Sequence, residues 1–158
     1  AKGKTCVGSG NLLMESVHVA HDAFVGNDCI IGNGTKLAGE IIIDDHAIIS
    51  ANVLMHQFCR VGGYTMVGGG TRFSQDITPY TICAREPVAY CGLNLVGLRR
   101  RGFSNELIEN IHNAYRIIYQ GGVPLNEALQ KVREEVPASP EIDYIIEFIE
   151  NSKRGFVH

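Results

Sequence analysis

Along the first half of the chain an apolar residue returns at every sixth position: Val7, Leu13, Val19, Val25, Ile31, Leu37, Ile43, Ile49, Met55, Val61, Val67 and Phe73. With about half of an average chain apolar, agreement at this many fixed positions arises by chance on the order of once in several thousand trials. The position after each is usually small, as at Gly8, Ala20, Gly26, Gly32, Ala38, Ser50, Gly62, Gly68 and Ser74. The fifth position is mostly small or β-branched, as at Val17, Ala23, Cys29, Thr35, Ala47, Val53, Cys59 and Thr65. An even period returns the same face inward on each side of a coil, and small residues let the chain turn into the next side. The pattern predicts a hexapeptide parallel β-helix with three sides to a coil. Successive coils then stack about 4.8 Å apart, with equivalent positions one above another. Residues 7–78 make about four coils, and because no amphipathic cap precedes Val7, further coils are expected N-terminal to it.

Beyond the repeat the pattern changes. Residues 1–78 form the solenoid, 79–103 a connector rich in proline and glycine, and 104–158 a helical domain of three helices. In the first helix Leu107, Ile108, Ile111, Ala114, Tyr115 and Ile118 recur at helical spacing, with Ser104 as N-cap and Gly121 or Gly122 as the stop. A second helix covers about 125–136. A third starts at Ser139 with Pro140 at N1, buries Ile142, Ile145, Ile146 and Ile149, and stops before Gly155. Packed on the last coil, these helices would cover its exposed strand edges.

Charge and cysteine content narrow the class. The net charge of −3 and the single dense basic run, Arg99–Arg101, give no general drive toward nucleic acid or an anionic membrane. No apolar run approaches the ~20 residues of a membrane span, so a cytoplasmic setting without stable membrane insertion is expected. The five cysteines are odd in number and widely spaced, which predicts reduced packing thiols and neither a disulfide framework nor a zinc site.

Within this frame "ESVHVAHDAFVGN", residues 15–27, places His18, His21 and Asp22 close together. The eighteen-residue register sets Gly39 above His21 and Gln57 above Gly39, with Glu40 above Asp22 and His56 above Ala38. A base, an acid and an exposed glycine amide then share one rim. Imidazole, with an ordinary pKa near ~6.5, can take a proton from a substrate hydroxyl. Asp22 can fix its tautomer, and the Gly39 N–H can face the carbonyl oxygen under attack. This is direct acyl transfer to a hydroxyl without a Ser or Cys nucleophile; a solvated surface histidine is the competing reading. Zinc held by three histidines is disfavoured, because no pair of histidines five positions apart follows a third.

The segments "NLLMESVHVAHDAFVGN", "LAGE", "HQFCRVGGYTMVGG", "QDITPY" and "GLRRRGFS" resemble the C-terminal half of the UDP-N-acetylglucosamine acyltransferase family, which opens lipid A synthesis. The resemblance implies a left-handed β-helix, a departure from the usual right-handed crossover. It also implies a homotrimer with active sites in clefts between subunits. The reaction implied is transfer of a (3R)-3-hydroxyacyl group from acyl carrier protein to the glucosamine 3-hydroxyl of UDP-N-acetylglucosamine, with no cofactor beyond the carrier thioester.

Carried onto this chain, the resemblance makes His21 the general base, Asp22 its orienting partner and Gly39 the oxyanion amide. His18, His56, Gln57, Asn94, Arg100 and Arg101 fall on substrate-binding positions. For the arginines a solvated charge run is the competing reading, whereas a forked donor suits a diphosphate or phosphopantetheine. Met66 and Gly69 match the end of the acyl pocket, where glycine implies a long hydroxyacyl chain; a corner glycine of the repeat is the competing reading. Glu40 and Pro87 stand where better-known members carry histidines, and Val96 replaces an acidic residue. The alternatives are the related UDP-3-O-acylglucosamine N-acyltransferase and an inactive trimeric scaffold or binding fragment.

Overall fold

The computed structural model describes residues 3–158. Two compact units result: the chain up to Asn94 joined by Ser152–His158, and Leu95–Asn151.

The first unit is a left-handed parallel β-helix with three sheets. One sheet stacks β1 (Cys6–Val7), β4 (Phe24–Val25), β7 (Ile42–Ile43) and β10 (Arg60–Val61). A second stacks β2 (Leu12–Leu13), β5 (Ile30–Ile31), β8 (Ile48–Ile49) and β11 (Met66–Val67). The third stacks β3 (His18–Val19), β6 (Lys36–Leu37), β9 (Leu54–Met55) and β12 (Arg72–Phe73). Pairing is in the expected register, for example Val7 with Val25, Ile30 with Ile48 and Leu37 with Met55. The inward positions make the core: Val25, Ile31, Leu37, Ile43, Ile49, Val61 and Val67 are fully buried. Val7 and Leu13, inward on the first coil, stay 44% and 41% exposed because only one neighbouring coil among the described residues covers them.

Where the chain bends differs from expectation. The small residues after each apolar position do not make the turn. They make room, since a Cβ at Gly32 would lie 2.5 Å from the Ala51 nitrogen on the next coil. The bend falls two residues later, where Ser16, Asp22, Asp28, Glu40, His46, Asn52, Phe58 and Tyr64 all adopt positive φ, alongside Gly10, Gly34 and Gly70. A left-handed non-glycine residue costs about 1–2 kcal/mol. Each of several such corners regains a bond to the coil below: the Glu40 N–H donates to the His21 carbonyl at 3.0 Å, and that of His46 to Asn27 at 2.9 Å.

The cysteines are all free. Burial pushes the Cys59 thiol up to about 11 and that of Cys83 up to about 12, so both act as small apolar packing groups.

The predicted connector holds structure the local pattern did not announce. Met66 pairs with Ile82 and Val61 with Ile77, two residues short of the repeat, so the chain adds β13 (Thr81–Ala84) to the second sheet. From there it reverses into the antiparallel β14 (Ala89–Leu93). Pro87, after the cis Glu86–Pro87 bond, lies in the intervening turn.

The C-terminal residues 152–158, expected to belong with the helices, lie on the solenoid at Asp76. This residue is 4% exposed. Its carboxylate accepts the Arg60 N–H at 2.8 Å and the Ser152 hydroxyl at 2.6 Å. Its own N–H donates to the Gly155 carbonyl, and its carbonyl accepts the Val157 N–H, both at 2.9 Å. A side-chain anchor of this kind leaves no periodic trace in "SKRGFVH".

In the second unit a short helix, α1 (Leu95–Arg100), precedes the three expected ones; with Leu98 its one buried residue, it is too short to show a period. The others are α2 (Asn105–Gln120), α3 (Leu125–Glu135) and α4 (Pro140–Glu150). Ser104 and Ser139 cap α2 and α4 by accepting the Leu107 and Ile142 N–H groups at 3.1 and 3.2 Å. Ile108, Ile111, Ala114, Tyr115 and Ile118 of α2 are buried, as are Ile142, Ile145, Ile146 and Ile149 of α4. An Arg133–Glu150 ion pair ties α3 to α4.

Burial pushes the Asp76 carboxyl above the usual carboxylate range, opposed by the Ser152 and Arg60 hydrogen bonds. The native state therefore holds this proton more tightly than the unfolded chain does. The stability so supplied is fully present below the unfolded pKa of ~3.9 and is lost as pH rises through the raised native value. Asp76→Asn keeps an acceptor for Arg60 without the titration, and is expected to flatten this slope and to melt at or above wild type at neutral pH. Asp76→Ala leaves the Arg60 N–H without this acceptor and lowers stability by about 1–3 kcal/mol. Melting curves taken from acid to neutral pH check both.

Candidate active site

The corner between the third and first sheets carries the candidate residues. His18 lies on β3 facing outward; the chain then turns through His21 and Asp22 into β4. One coil on, the same corner is built by Gly39 and Glu40, and the coil after by His56, Gln57 and Phe58. The Phe58 N–H donates to the Gly39 carbonyl at 3.3 Å, which continues the stack.

His21 and Gly39 are in contact: a Cβ on Gly39 would lie 2.5 Å from both Cε1 and Nε2 of the imidazole. The ring therefore rests on the glycine. Gly39 is buried beneath it, and not exposed as register alone suggested, because the ring occupies the space a side chain would take. Its N–H donates to no other group among the described residues. On the neighbouring corner two amides at this repeat position are capped from the next coil, that of Ser9 by the Asn27 side chain and that of Asn27 by Asp45, both at 2.8 Å.

The imidazole Nδ1 is 3.0 Å from Asp22 Oδ2. Asp22 is nearly buried while the His21 side chain is 66% exposed, so the carboxylate is held in place and the imidazole faces solvent. A carboxylate can only accept here, which places the Nδ1 proton toward Asp22 and leaves the lone pair on Nε2. The other oxygen, Oδ1, accepts the Gly3 N–H at 2.6 Å, a support from the preceding coil that local sequence does not signal. Glu40 joins the pair: ligand atoms of His21, Asp22 and Glu40 all lie within 4.8 Å of one another.

Two hollows flank this corner. One of about 390 Å³ on the first sheet is lined by Lys4, Asp22, Phe24, Ile42, Asp44 and Arg60. There Arg60 forks onto Asp44, with the closest N–O distance 2.8 Å. The other, of about 410 Å³ on the third sheet, is lined by Leu54, His56, Arg72 and Phe73. His56 and Gln57 are exposed beside it, and His56 Nδ1 faces the Gln57 carbonyl at 3.2 Å.

The remaining candidates are not gathered here by a single chain. Met66 faces outward on the second sheet, 37% exposed. Gly69 sits on the corner between the second and third sheets. The left-handed residue of that corner is Gly70, at φ +71°, so the turn does not require Gly69; a Cβ on it meets nothing closer than 3.5 Å. Asn94 is buried at the corner between the first and second sheets, its amide donating to the Tyr64 carbonyl at 3.0 Å. Arg100 and Arg101 are exposed at the end of α1, in the second unit.

A sequence-family profile described as UDP-N-acetylglucosamine O-acyltransferase, domain 2, matches residues 76–157. The acyl-[acyl-carrier-protein]–UDP-N-acetylglucosamine O-acyltransferase of Aliivibrio salmonicida is 39% identical over 99% of this chain and 60% of its own length. A crystal structure of a UDP-N-acetylglucosamine acyltransferase from Bacteroides fragilis is 73% identical and superposes with a TM-score of 0.92, covering 94% of this chain and 58% of that one. The UDP-N-acetylglucosamine O-acyltransferase of Moraxella catarrhalis is 39% identical at a TM-score of 0.92, over 98% and 60% of the two chains. The chain thus spans about 60% of the length of the curated relatives it matches.

Gly39 does not need positive φ, so alanine suits its backbone and its methyl meets the imidazole first. Gly39→Ala is expected to fold, with a melting temperature within a few degrees of wild type, and to displace the His21 ring. Imidazole nitrogen and carbon NMR shifts of His21, compared between the two proteins, check this.

Proposed function

Because this chain belongs to the UDP-N-acetylglucosamine O-acyltransferase family, we propose that its corner residues perform the acyl transfer for which its relatives are named. The substrates are a (3R)-3-hydroxyacyl group carried as a thioester on acyl carrier protein and the 3-hydroxyl of UDP-N-acetylglucosamine. The observation that carries this reading is the His21 ring resting on Gly39 with Nδ1 turned to Asp22.

In this reading Nε2 of His21 takes the proton of the 3-hydroxyl as its oxygen bonds to the thioester carbon. Asp22, held by the Gly3 N–H, keeps the ring in the productive tautomer and stabilises the imidazolium. Lifting the exposed ring off Gly39 to meet the acceptor uncovers an N–H with no other partner, which receives the developing oxyanion. Collapse breaks the carbon–sulfur bond, and the departing phosphopantetheine sulfur takes the proton back from imidazolium. The products are the 3-O-acylated nucleotide sugar and the free carrier thiol, and no cofactor is required.

Met66, Gly69 and Asn94 lie on other sides of the prism from His21, which suits a homotrimer whose cleft takes its two walls from neighbouring protomers. His18, His56 and Gln57 then belong to the wall that carries the base. Arg100 and Arg101 offer forked donors to the nucleotide diphosphate or to the acidic carrier. A cytoplasmic enzyme fits these substrates, and no helix among the described residues is long and apolar enough to cross a membrane.

Acyl transfer from 3-hydroxyacyl carrier protein is expected to fall roughly 10²–10⁴-fold in His21→Ala, and roughly tenfold or more in Asp22→Asn, where an amide can no longer hold the tautomer. Wild-type turnover in His21→Ala would remove the base assignment. Calorimetric titration with UDP-N-acetylglucosamine separates the enzyme, which releases heat, from a scaffold, which does not. The space around Gly69 accepts a side chain, so Gly69→Met is expected to shift preference toward shorter acyl chains without loss of fold. Competition between donors of different length reads this out.

A further inference from the structure

The corner that holds the base also gathers a mixed set of metal donors: one imidazole nitrogen and two carboxylate oxygens from His21, Asp22 and Glu40, within 4.8 Å of one another. Nδ1 and Oδ2 are 3.0 Å apart. Two ligands at ~2.0–2.2 Å from a tetrahedral zinc ion are separated by roughly 3.3 Å, so an ion can replace the shared proton with little movement. Asp22 is the fixed member, buried and anchored through its other oxygen by Gly3 at 2.6 Å. His21 and Glu40 are more exposed and lie on adjacent coils, joined through the backbone at 3.0 Å, so side-chain rotation alone brings Glu40 in. The two carboxylates place a charge of −2 around one ring, which a divalent cation neutralises.

We propose that His21, Asp22 and Glu40 bind a single zinc-class divalent ion, and that its binding switches the base off. The binding stands on geometry; the switch rests on the reading of His21 as the base. A neutral imidazole that gives the Nδ1 lone pair to a metal carries its one proton on Nε2. Nε2 is the nitrogen that must be free to deprotonate the acceptor. Occupancy thus inverts the tautomer that Asp22 otherwise maintains, and the same carboxylate that supports catalysis becomes a ligand of the inhibitor. One nitrogen and two oxygens suit zinc or cobalt, with water at the fourth position, whereas magnesium demands a near-octahedral oxygen shell that this set does not offer. The arrangement differs from the three-histidine zinc site that histidine spacing disfavours, because two of its ligands are carboxylates and one comes from the next coil.

The test is calorimetric titration of the chain with zinc chloride in a chelator-stripped, non-coordinating buffer, with cobalt(II) visible absorption as the coordination readout. A single ion per chain is expected, bound roughly tenfold or more weakly in Glu40→Gln and not at this site in His21→Ala. Zinc should inhibit acyl transfer reversibly with a chelator, and magnesium should not. Zinc affinity unchanged in both variants overturns the site. Zinc binding that depends on Glu40 and His21 but leaves transfer uninhibited upholds the site and overturns the base assignment. Transfer that needs His21, with zinc affinity indifferent to Glu40, upholds the base and overturns the site.

Discussion

The eighteen-residue register is the constraint on which everything else depends. Among the described residues no strand in the coils exceeds two residues, far too few to persist alone, so each exists only because an equivalent pair lies above or below it. The bonds that enforce this run between coils. Phe24 N–H donates to Ile41, Gly26 to Ile43 and Ile30 to Ala47, with lengths of 2.8–3.0 Å, and the left-handed corners add their own. A net contribution of about 1 kcal/mol per bond is modest singly. Repeated at every rung, it makes slippage by one residue prohibitive, because the inward face would turn outward along the whole stack. The juxtaposition of His21 and Gly39 is a by-product of that register, and no dedicated contact has to create it.

The corner carrying His21 differs from the one beside it in what fills the space between coils. At the corner between the first and second sheets, Asn27 and Asp45 reach down the stack and cap the amides of Ser9 and Asn27. Those side chains fill the space above the coil and consume the N–H groups. Gly39, in the same repeat position, has no side chain, and the space is left for the imidazole of the preceding coil. A capped amide cannot receive an oxyanion, and a filled corner cannot seat a base. A capping side chain and a seated imidazole are thus competing occupants of the space between two coils at a corner.

What the sequence announced follows from periodicity, and what it concealed follows from single side chains. The twelve apolar positions and the caps Ser104 and Ser139 repeat or flank long elements, so the solenoid and the three longer helices could be placed from the string alone. The register then carried His21 to Gly39. The left-handed residues were concealed because Asp, Asn, Glu, His, Phe and Tyr share that position, and only their backbone is alike. The hairpin of β13 and β14 follows a two-residue loss of register, visible only once Ile82 is seen beside Met66. The return of residues 152–158 depends on Asp76, and the support of Asp22 on a Gly3 amide; each is one hydrogen-bonding partner with no recurrence to reveal it.

The left-handed corner also explains why two adjacent residues can act as a pair. In a strand, successive side chains point to opposite faces, so neighbours such as His21 and Asp22 would be separated by the backbone. Asp22 at φ +58° breaks that alternation, and its carboxylate comes back to 3.0 Å from the preceding ring. Aspartate tolerates this conformation better than most residues because its short polar side chain can bond locally. On a flat side of the prism the same two residues could not meet, whereas a corner brings them together without help from any distant segment. A histidine paired with the aspartate next to it in sequence therefore belongs at an edge of this fold. At the edges the next coil also presents a backbone amide, that of Gly39, one strand spacing away.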